Sequence, residues 1–449
     1  MVWTPARCGR TVAMTVVCRN KEHMMAIQVS ATSSVADDPP STTRPSAREA
    51  RPRTSPLTDD MEPSIAAMLD RKRATIQDWG DYHPVGVDAV RLGLNRFLAD
   101  RGSESWDSDT TDHTSPRDHA TVRAVRPLGG GASNEQYIVE LERPDGPRER
   151  VVLRIDAVAG VMETDRQREF DVLTFLSSRF PVPSPRWVEP RGEVLGRPFL
   201  ATGFVDGVTA PSQDAGESVS GMQTTLSGEL RDDLADQFVR NLVLLHSLPV
   251  DDAAVGTLQV PDRDPYQAAR WQVNWWSRVW RDDSVIPFPL VAGIQAWLRS
   301  HLPRQRRLAL VHGDYRTGNY LFDEDTHRVT AVLDWELAHI GDPHEDLAWC
   351  VQRMYSTVGE NGERLVTGLM TREDLIARYE HLSGHPVDSE TLHFYEVLCA
   401  FKSLVATLAS SVRAARDRQS HQDVLLAWLA SCGYLFAADI ITMIERGPR

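Results

Sequence analysis

Apolar and polar positions change rhythm several times along the chain. Residues 1–57 carry little periodicity, and the part from Ser30 to Pro56 is rich in Ser, Thr, Pro and Arg, with ADDPPSTTRPS at its centre. Such a composition buries too little apolar surface to offset the entropy of ordering. Residues 1–60 are therefore expected to form a disordered tail, and Met61 would serve as a start with little loss to the fold. Helical spacing begins at 62–75, EPSIAAMLDRKRAT, and returns at 86–100, GVDAVRLGLNRFLAD. In the second run Val90, Leu92, Leu94, Phe97 and Leu98 form an apolar side near a 3.6 period. Residues 101–117 turn acidic and polar, so 61–117 reads as helices followed by a linker.

From residue 121 the pattern is that of strands. TVRAVRPL, NEQYIVELE and RVVLRIDA read as three antiparallel strands, joined by GGGAS and a PDG turn. A helix is expected over 163–179, with Phe170, Leu173 and Leu176 on one side. PVPSP is an extended break, and PFLATGFV (198–205) is a further strand. Residues 118–206 thus read as one sheet-bearing lobe. After a flexible Gly/Ser-rich loop at 207–224, helices dominate: 234–248, 264–280, 294–303, 373–382, 388–411 and 421–445. The last run is strongly apolar and is expected to be buried. Trp271, Trp275, Trp276 and Trp280 either line a pocket or cement the helical lobe. The fold class is α+β, with a small antiparallel lobe at 118–206 and a larger, mainly helical lobe at 207–449.

Composition narrows the function. The 449 residues are 41% apolar and 25% charged, as in a globular protein, and the net charge of −14 excludes a large nucleic-acid footprint. The five cysteines, Cys8, Cys18, Cys350, Cys399 and Cys432, are scattered and suit a reducing, cytosolic compartment rather than zinc or disulfides. No run reaches 18 apolar residues, so no membrane span and no stable membrane insertion is expected, and TVAMTVVC is too mixed for a signal peptide. Oligomeric state is not legible.

The chemistry concentrates at 308–349. LALV and VTAVL read as two adjacent buried strands, each followed at once by polar groups. They deliver Asp314, Asn319, Asp334 and Glu336 to one small volume. Three carboxylates and an amide placed together call for a positive charge among them, and a hard divalent cation such as magnesium is the usual answer. A polar loop pair with ordinary turn aspartates is the plainer reading.

The order and spacing of HGDYRTGN (312–319), LDWE (333–336) and GDPHEDLAW (341–349) change that balance. Together they resemble the aminoglycoside phosphotransferase and choline kinase-like family, relatives of the protein kinases. The resemblance runs from about residue 120 to 440. Within the family it looks most like the branch that also occurs as a kinase-like domain beside acyl-CoA dehydrogenase domains.

The resemblance implies a protein kinase-like two-lobe fold, ATP and magnesium as cofactors, and a small-molecule hydroxyl as acceptor. It implies Asp314 as base and Asn319 and Asp334 as magnesium ligands. Glu336 would hold a second metal or orient a water. Gly130, Gly131 and Ser133 would cradle the nucleotide phosphates, although a tight hairpin without ligand reads the same way. Arg154 stands where the family usually has a lysine that pairs the phosphates, and the chain's three lysines, Lys21, Lys72 and Lys402, all lie outside this lobe. Glu169 is the expected partner of Arg154, with Glu163 also within reach. Backbone groups around Gly203–Val205 would bind adenine. Arg316 would neutralise an acidic substrate or the transferring phosphoryl. His246 and His312 are read as structural, and Asp342 and Asp346 as braces of backbone amides. An aminoglycoside acceptor, a nucleotide-binding pseudokinase and a two-metal hydrolase are the alternatives.

Overall fold

The computed structural model describes residues 14–20, 23–29, 60–75, 82–101, 120–128, 135–143, 146–157, 160, 162–212, 224–226, 228–250, 255–417 and 423–448. The chain divides into two units, residues 1–54 and 55–449. In the first, β1 (Met14–Asn20) and β2 (His23–Val29) pair antiparallel, from Met14 opposite Val29 to Asn20 opposite His23. Both strands fall within residues 1–60, where a disordered tail was expected, and TVVC and MMAIQV carry residues of strand propensity. Residues 30–59, including the Ser/Pro-rich part, lie outside the described residues.

The second unit opens with α1 (Pro63–Thr75) and α2 (Val87–Arg101). The small lobe is a five-stranded antiparallel sheet in the order β3-β4-β5-β7-β6, built from β3 (Thr121–Pro127), β4 (Glu135–Glu142), β5 (Glu149–Ile155), β6 (Pro185–Glu189) and β7 (Phe199–Gly203). Burial alternates along β4, as a sheet with one covered face requires. Val90, Leu94 and Leu98 of α2 join Val139, Leu141, Leu153 and Phe199 in one apolar cluster. Phe97 meets Phe199 edge to face, with ring centres 5.4 Å apart. Leu92, expected on that face, is 57% exposed. Two residues are a 200° turn of helix, so Leu92 lies opposite Val90.

The helix α3 (Arg166–Leu176) is inserted between β5 and β6, and Asp165 caps it by accepting the Gln167 and Arg168 N–H groups. The large lobe holds α4 (Gly228–Ser247), α5 (Gln267–Asp283) and α6 (Leu290–Ser300). Then come β8 (Ala309–Val311), β9 (Tyr320–Phe322), β10 (Val329–Val332), β11 (His339–Gly341) and α7 (His344–Cys350). After a two-strand ladder, β12 (Thr357–Val358) with β13 (Arg364–Leu365), follow α8 (Arg372–Ser383), α9 (Ser389–Val405), α10 (Val412–Arg416) and α11 (Asp423–Arg446).

Two expectations change here. The runs LALV and VTAVL are not neighbours: β8 pairs with β11, and β10 with β9. With three or four residues each, these strands have no lengthwise pattern from which to choose a partner. The helix α11 buries only one face, with Phe436, Ala437 and Ile440 inside and Tyr434 and Leu435 more than half exposed. The continuous helix over Ser389–Arg416 is long and apolar enough to cross a membrane, but 89% of its apolar window is buried inside the protein. Trp271, Trp275 and Trp276 are likewise core residues of the large lobe.

Candidate active site

The strand β8 leads into His312, Gly313 and Asp314. Gly313 has φ +83°, and a Cβ there would meet the Leu337 Cβ and carbonyl at 2.9 Å, so only glycine makes this turn. Asp346 of α7 clamps it, accepting the His312 N–H at 2.8 Å and the Gly313 N–H at 2.9 Å. His246 of α4 donates Nε2–H to the same carboxylate at 3.1 Å and accepts from the Tyr379 hydroxyl at 2.9 Å. Burial works against the Asp346 charge, but the His246 and His312 donors outweigh it and hold the carboxyl below its ordinary pKa. His312 donates Nε2–H to the Leu333 carbonyl and accepts the Asp314 N–H at Nδ1. Both histidines thus fasten the turn.

This turn presents Asp314 with three donors. Its Oδ1 accepts from the Trp349 indole at 2.6 Å and from Arg316 Nε at 2.8 Å, and Oδ2 accepts from the Asn319 amide at 2.7 Å. Arg316 is buried, with its guanidinium 4.8 Å from the centre of the Tyr355 ring. The Leu333 N–H donates to the Asn319 carbonyl at 2.7 Å, which sets Asn319 beside the next turn.

That turn begins at Asp334, in left-handed backbone (φ 66°, ψ 60°), and continues as a short 3-10 helix through Leu337. Arg154 of β5 reaches it across the lobes. One guanidinium nitrogen donates to Glu169 of α3 at 2.5 Å, and the other to Asp334 at 2.9 Å and to Glu336 at 3.5 Å. Arg154 Nε is buried and makes no hydrogen bond among the described residues. Burial opposes the charge on Asp334, yet Arg154 holds its carboxyl below the ordinary value. Burial and the Asp334 charge push Glu336 up to about 8.

The four polar residues expected in one volume therefore form two adjoining groups, each with its own arginine: Arg316 for Asp314, and Arg154 for Asp334 and Glu336. Among the described residues no three His, Cys, Asp or Glu side chains are arranged to hold a metal ion. Glu163 is not the partner of Arg154; it pairs with Lys72 at 2.8 Å. Gly203 and Phe204 donate their N–H groups to the Ser184 and Arg150 carbonyls, and among the described residues the Val205 N–H has no backbone acceptor. Gly130, Gly131 and Ser133 lie outside the described residues.

Two parts of the site escaped the sequence reading. GDPHEDLAW was read for its aspartates, although its Trp349 carries the donor to Asp314. Arg166 was overlooked. It is fully buried and binds Glu169 through Nη1 and Asp156 through Nε, so Glu169 is gripped by two arginines. The spacing of Arg166 and Glu169, three apart on a helix, was the available signal.

The family profile described as Phosphotransferase enzyme family matches residues 124–395. The chain belongs to the phosphotransferase enzyme family. Among curated proteins, acyl-CoA dehydrogenase family member 10 of Mus musculus is 27% identical over 229 residues, half of this chain and 20% of its own length. Acyl-CoA dehydrogenase family member 11 of Gallus gallus is 28% identical over 304 residues, 64% of this chain and 36% of its own length. The chain thus spans well under half the length of these relatives. A crystal structure from Ralstonia eutropha, described as a candidate aminoglycoside phosphotransferase, superposes with a TM-score of 0.52 and 20% identity. That likeness covers 78% of this chain and 98% of that one. The two-lobe arrangement, a small antiparallel lobe and a larger helical lobe, is the protein kinase-like fold of this family.

Proposed function

We propose that the protein transfers the γ-phosphoryl group of ATP to a hydroxyl of a small molecule. The observation that carries this reading is Arg154. It reaches from the small-lobe sheet to join Glu169 of α3 to Asp334 of the large lobe, and its buried Nε makes no hydrogen bond among the described residues. Phosphoryl transfer asks chiefly for positioning and for neutralised phosphate charge, and in this reading Arg154 would serve both. In this reading Asp314 orients the acceptor hydroxyl and takes its proton, with Trp349, Arg316 and Asn319 fixing the carboxylate. Val205 offers its N–H, and Gly130, Gly131 and Ser133 their loop, to the nucleotide.

Magnesium fits the donor set. Asp334 and the Asn319 amide offer hard oxygens, and one or two carboxylates with substrate phosphates are what magnesium uses. Asp334 and Glu336 both lie against the Arg154 guanidinium, so two carboxylates meet one cation there. Asn319 and Asp334 would hold the ion, with Glu336 next to them. When bound, magnesium would supply charge neutralisation at the phosphates.

The acceptor in this reading is anionic. Arg316 and Tyr355 stand beside Asp314, and a polycationic aminoglycoside would meet a buried guanidinium there. Hydroxy acids and hydroxyacyl-CoAs fit that charge, and the acyl-CoA dehydrogenase names of the mouse and chicken relatives point the same way. A reducing, cytosolic location suits Cys350, Cys399 and Cys432, which form no disulfide among the described residues. The test is ATP consumption with magnesium across amino sugars, choline, sugars, hydroxy acids and hydroxyacyl-CoAs, with wild type and Asp314→Ala in parallel. Turnover with one anionic class, lost in the variant, is expected. Turnover with amino sugars alone would move the acceptor to the aminoglycosides. ATP binding without transfer to any class would favour a pseudokinase.

A further inference from the structure

The helix α1 lies outside the span matched by the family profile, yet it is fastened to both lobes. Met61, Ile65, Met68 and Leu69 enter the same core as Leu173 and Leu176 of α3 and Trp276 of α5. Two buried charges on that side of the segment are paired. Glu62, just ahead of the helix, binds the Arg168 guanidinium of α3, and the two side chains are 4% and 7% exposed. Arg168 also donates to the carbonyl of Ala338 at 3.2 Å, next to the turn that carries Asp334 and Glu336. Lys72 bridges Glu163, ahead of α3, at 2.8 Å and Asp283 of α5 at 3.0 Å. At the surface Arg71 meets Asp165, the N-cap of α3, at 2.6 Å. Toward the large lobe, Asp70 pairs with Arg278 at 2.5 Å.

We propose that α1 is an intramolecular brace that holds α3, and through it the Glu169 carboxylate, where Arg154 is engaged. Glu62 and Lys72 are its positioning residues. Buried ion pairs add little net stability but break at high cost when one partner is removed, which suits them to fixing a geometry. Three contacts meet the first turn of α3 and its lead-in, at Glu163, Asp165 and Arg168. Glu169 is the next residue along that turn. With the brace loosened, α3 is free to swing and Glu169 leaves Arg154, so ATP is held less well while the acceptor side is untouched.

The inference rests on the phosphotransferase reading for its kinetic arm only. Lys72→Met and Glu62→Gln are compared with Asp70→Ala, which alters α1 only where it faces α5. Amide hydrogen exchange over residues 166–176 is expected to rise about tenfold in the first two variants, with the amides of α9 unchanged. Their KM for ATP is expected to rise about fivefold with the acceptor KM unmoved. Asp70→Ala is expected to change neither. Exchange in α3 at the wild-type level, or a rise shared equally by α9, would overturn the brace. If the wild type consumes no ATP, the proposed function falls, and the exchange pattern still decides for or against the brace.

Discussion

Asp346→Asn is the substitution whose cost the structure defines best. The carboxylate is fully buried and faces three donors: the His312 N–H and the His246 Nε2–H at Oδ2, and the Gly313 N–H at Oδ1. An asparagine of the same shape has one oxygen. Its better orientation keeps the oxygen at the Oδ2 position and turns the NH2 toward the Gly313 N–H, donor against donor. One charge-assisted bond is then lost, worth about 1.5–3 kcal/mol, and the other two fall to neutral strength. The sum is about 3.5–6 kcal/mol, a large part of a typical domain stability. The loss falls on the turn that carries Asp314, where a displacement of about 1 Å costs on the order of a hundredfold in rate. Urea unfolding, amide exchange at Gly313 and ATP turnover would each report it. The pH dependence adds a sign. The Asp346 pKa is lowered in the folded state, so its contribution is present above the ordinary aspartate pKa and is lost as pH falls through the folded value. The variant lacks that acid-labile part. Stability within about 1 kcal/mol of wild type, with Gly313 equally protected, would refute the clamp.

Gly313→Ala is expected to cost about 2–4 kcal/mol, from the positive φ and the 2.9 Å approach to Leu337, and thermal unfolding measures it. Trp349→Phe keeps an aromatic ring but removes the donor to Asp314, so kcat should fall about 10–100-fold with ATP affinity unchanged; a change within about twofold would count against it. Lys402 and Glu345 are both buried, and Glu345 is held at about 2 by Lys402 and His339 against the cost of burial. Lys402→Met should therefore destabilise by about 3–5 kcal/mol at neutral pH. In denaturation series at stepped pH, the gap to wild type should close as pH falls from about 4.5 toward 2, where the Glu345 contribution is lost.

What the sequence disclosed follows from the range of the interactions. The helices α1 and α2 and the strands β3, β4 and β5 have patterns of their own length, and they were legible within a few residues. The pairing of Arg154 with Glu169 was legible because fifteen residues of strand, loop and helix return to the same place. The brace was not, since Lys72 meets Asp283 across 211 positions and Arg168 meets Ala338 across 170. No spacing rule reaches that far, and a buried lysine looks the same in sequence as a solvated one. The pattern placed Asp314, Asp334 and Glu336 near one another but was silent on Arg316 beside Asp314 and on Arg154 reaching Asp334 and Glu336 from another strand. The left-handed backbone at Asp334 was illegible for a related reason: an Asp-Trp-Glu run adopts it only where surrounding contacts hold it there.

The most direct measurement follows label from [γ-32P]ATP with magnesium into an acceptor, using wild type, Asp314→Asn and Asp334→Asn at matched stability. Label is expected to move to the hydroxyl of an anionic small molecule in the wild type alone, with Asp314→Asn still binding ATP and Asp334→Asn binding it less well. Transfer that survives Asp314→Asn at the wild-type rate would contradict the proposed site.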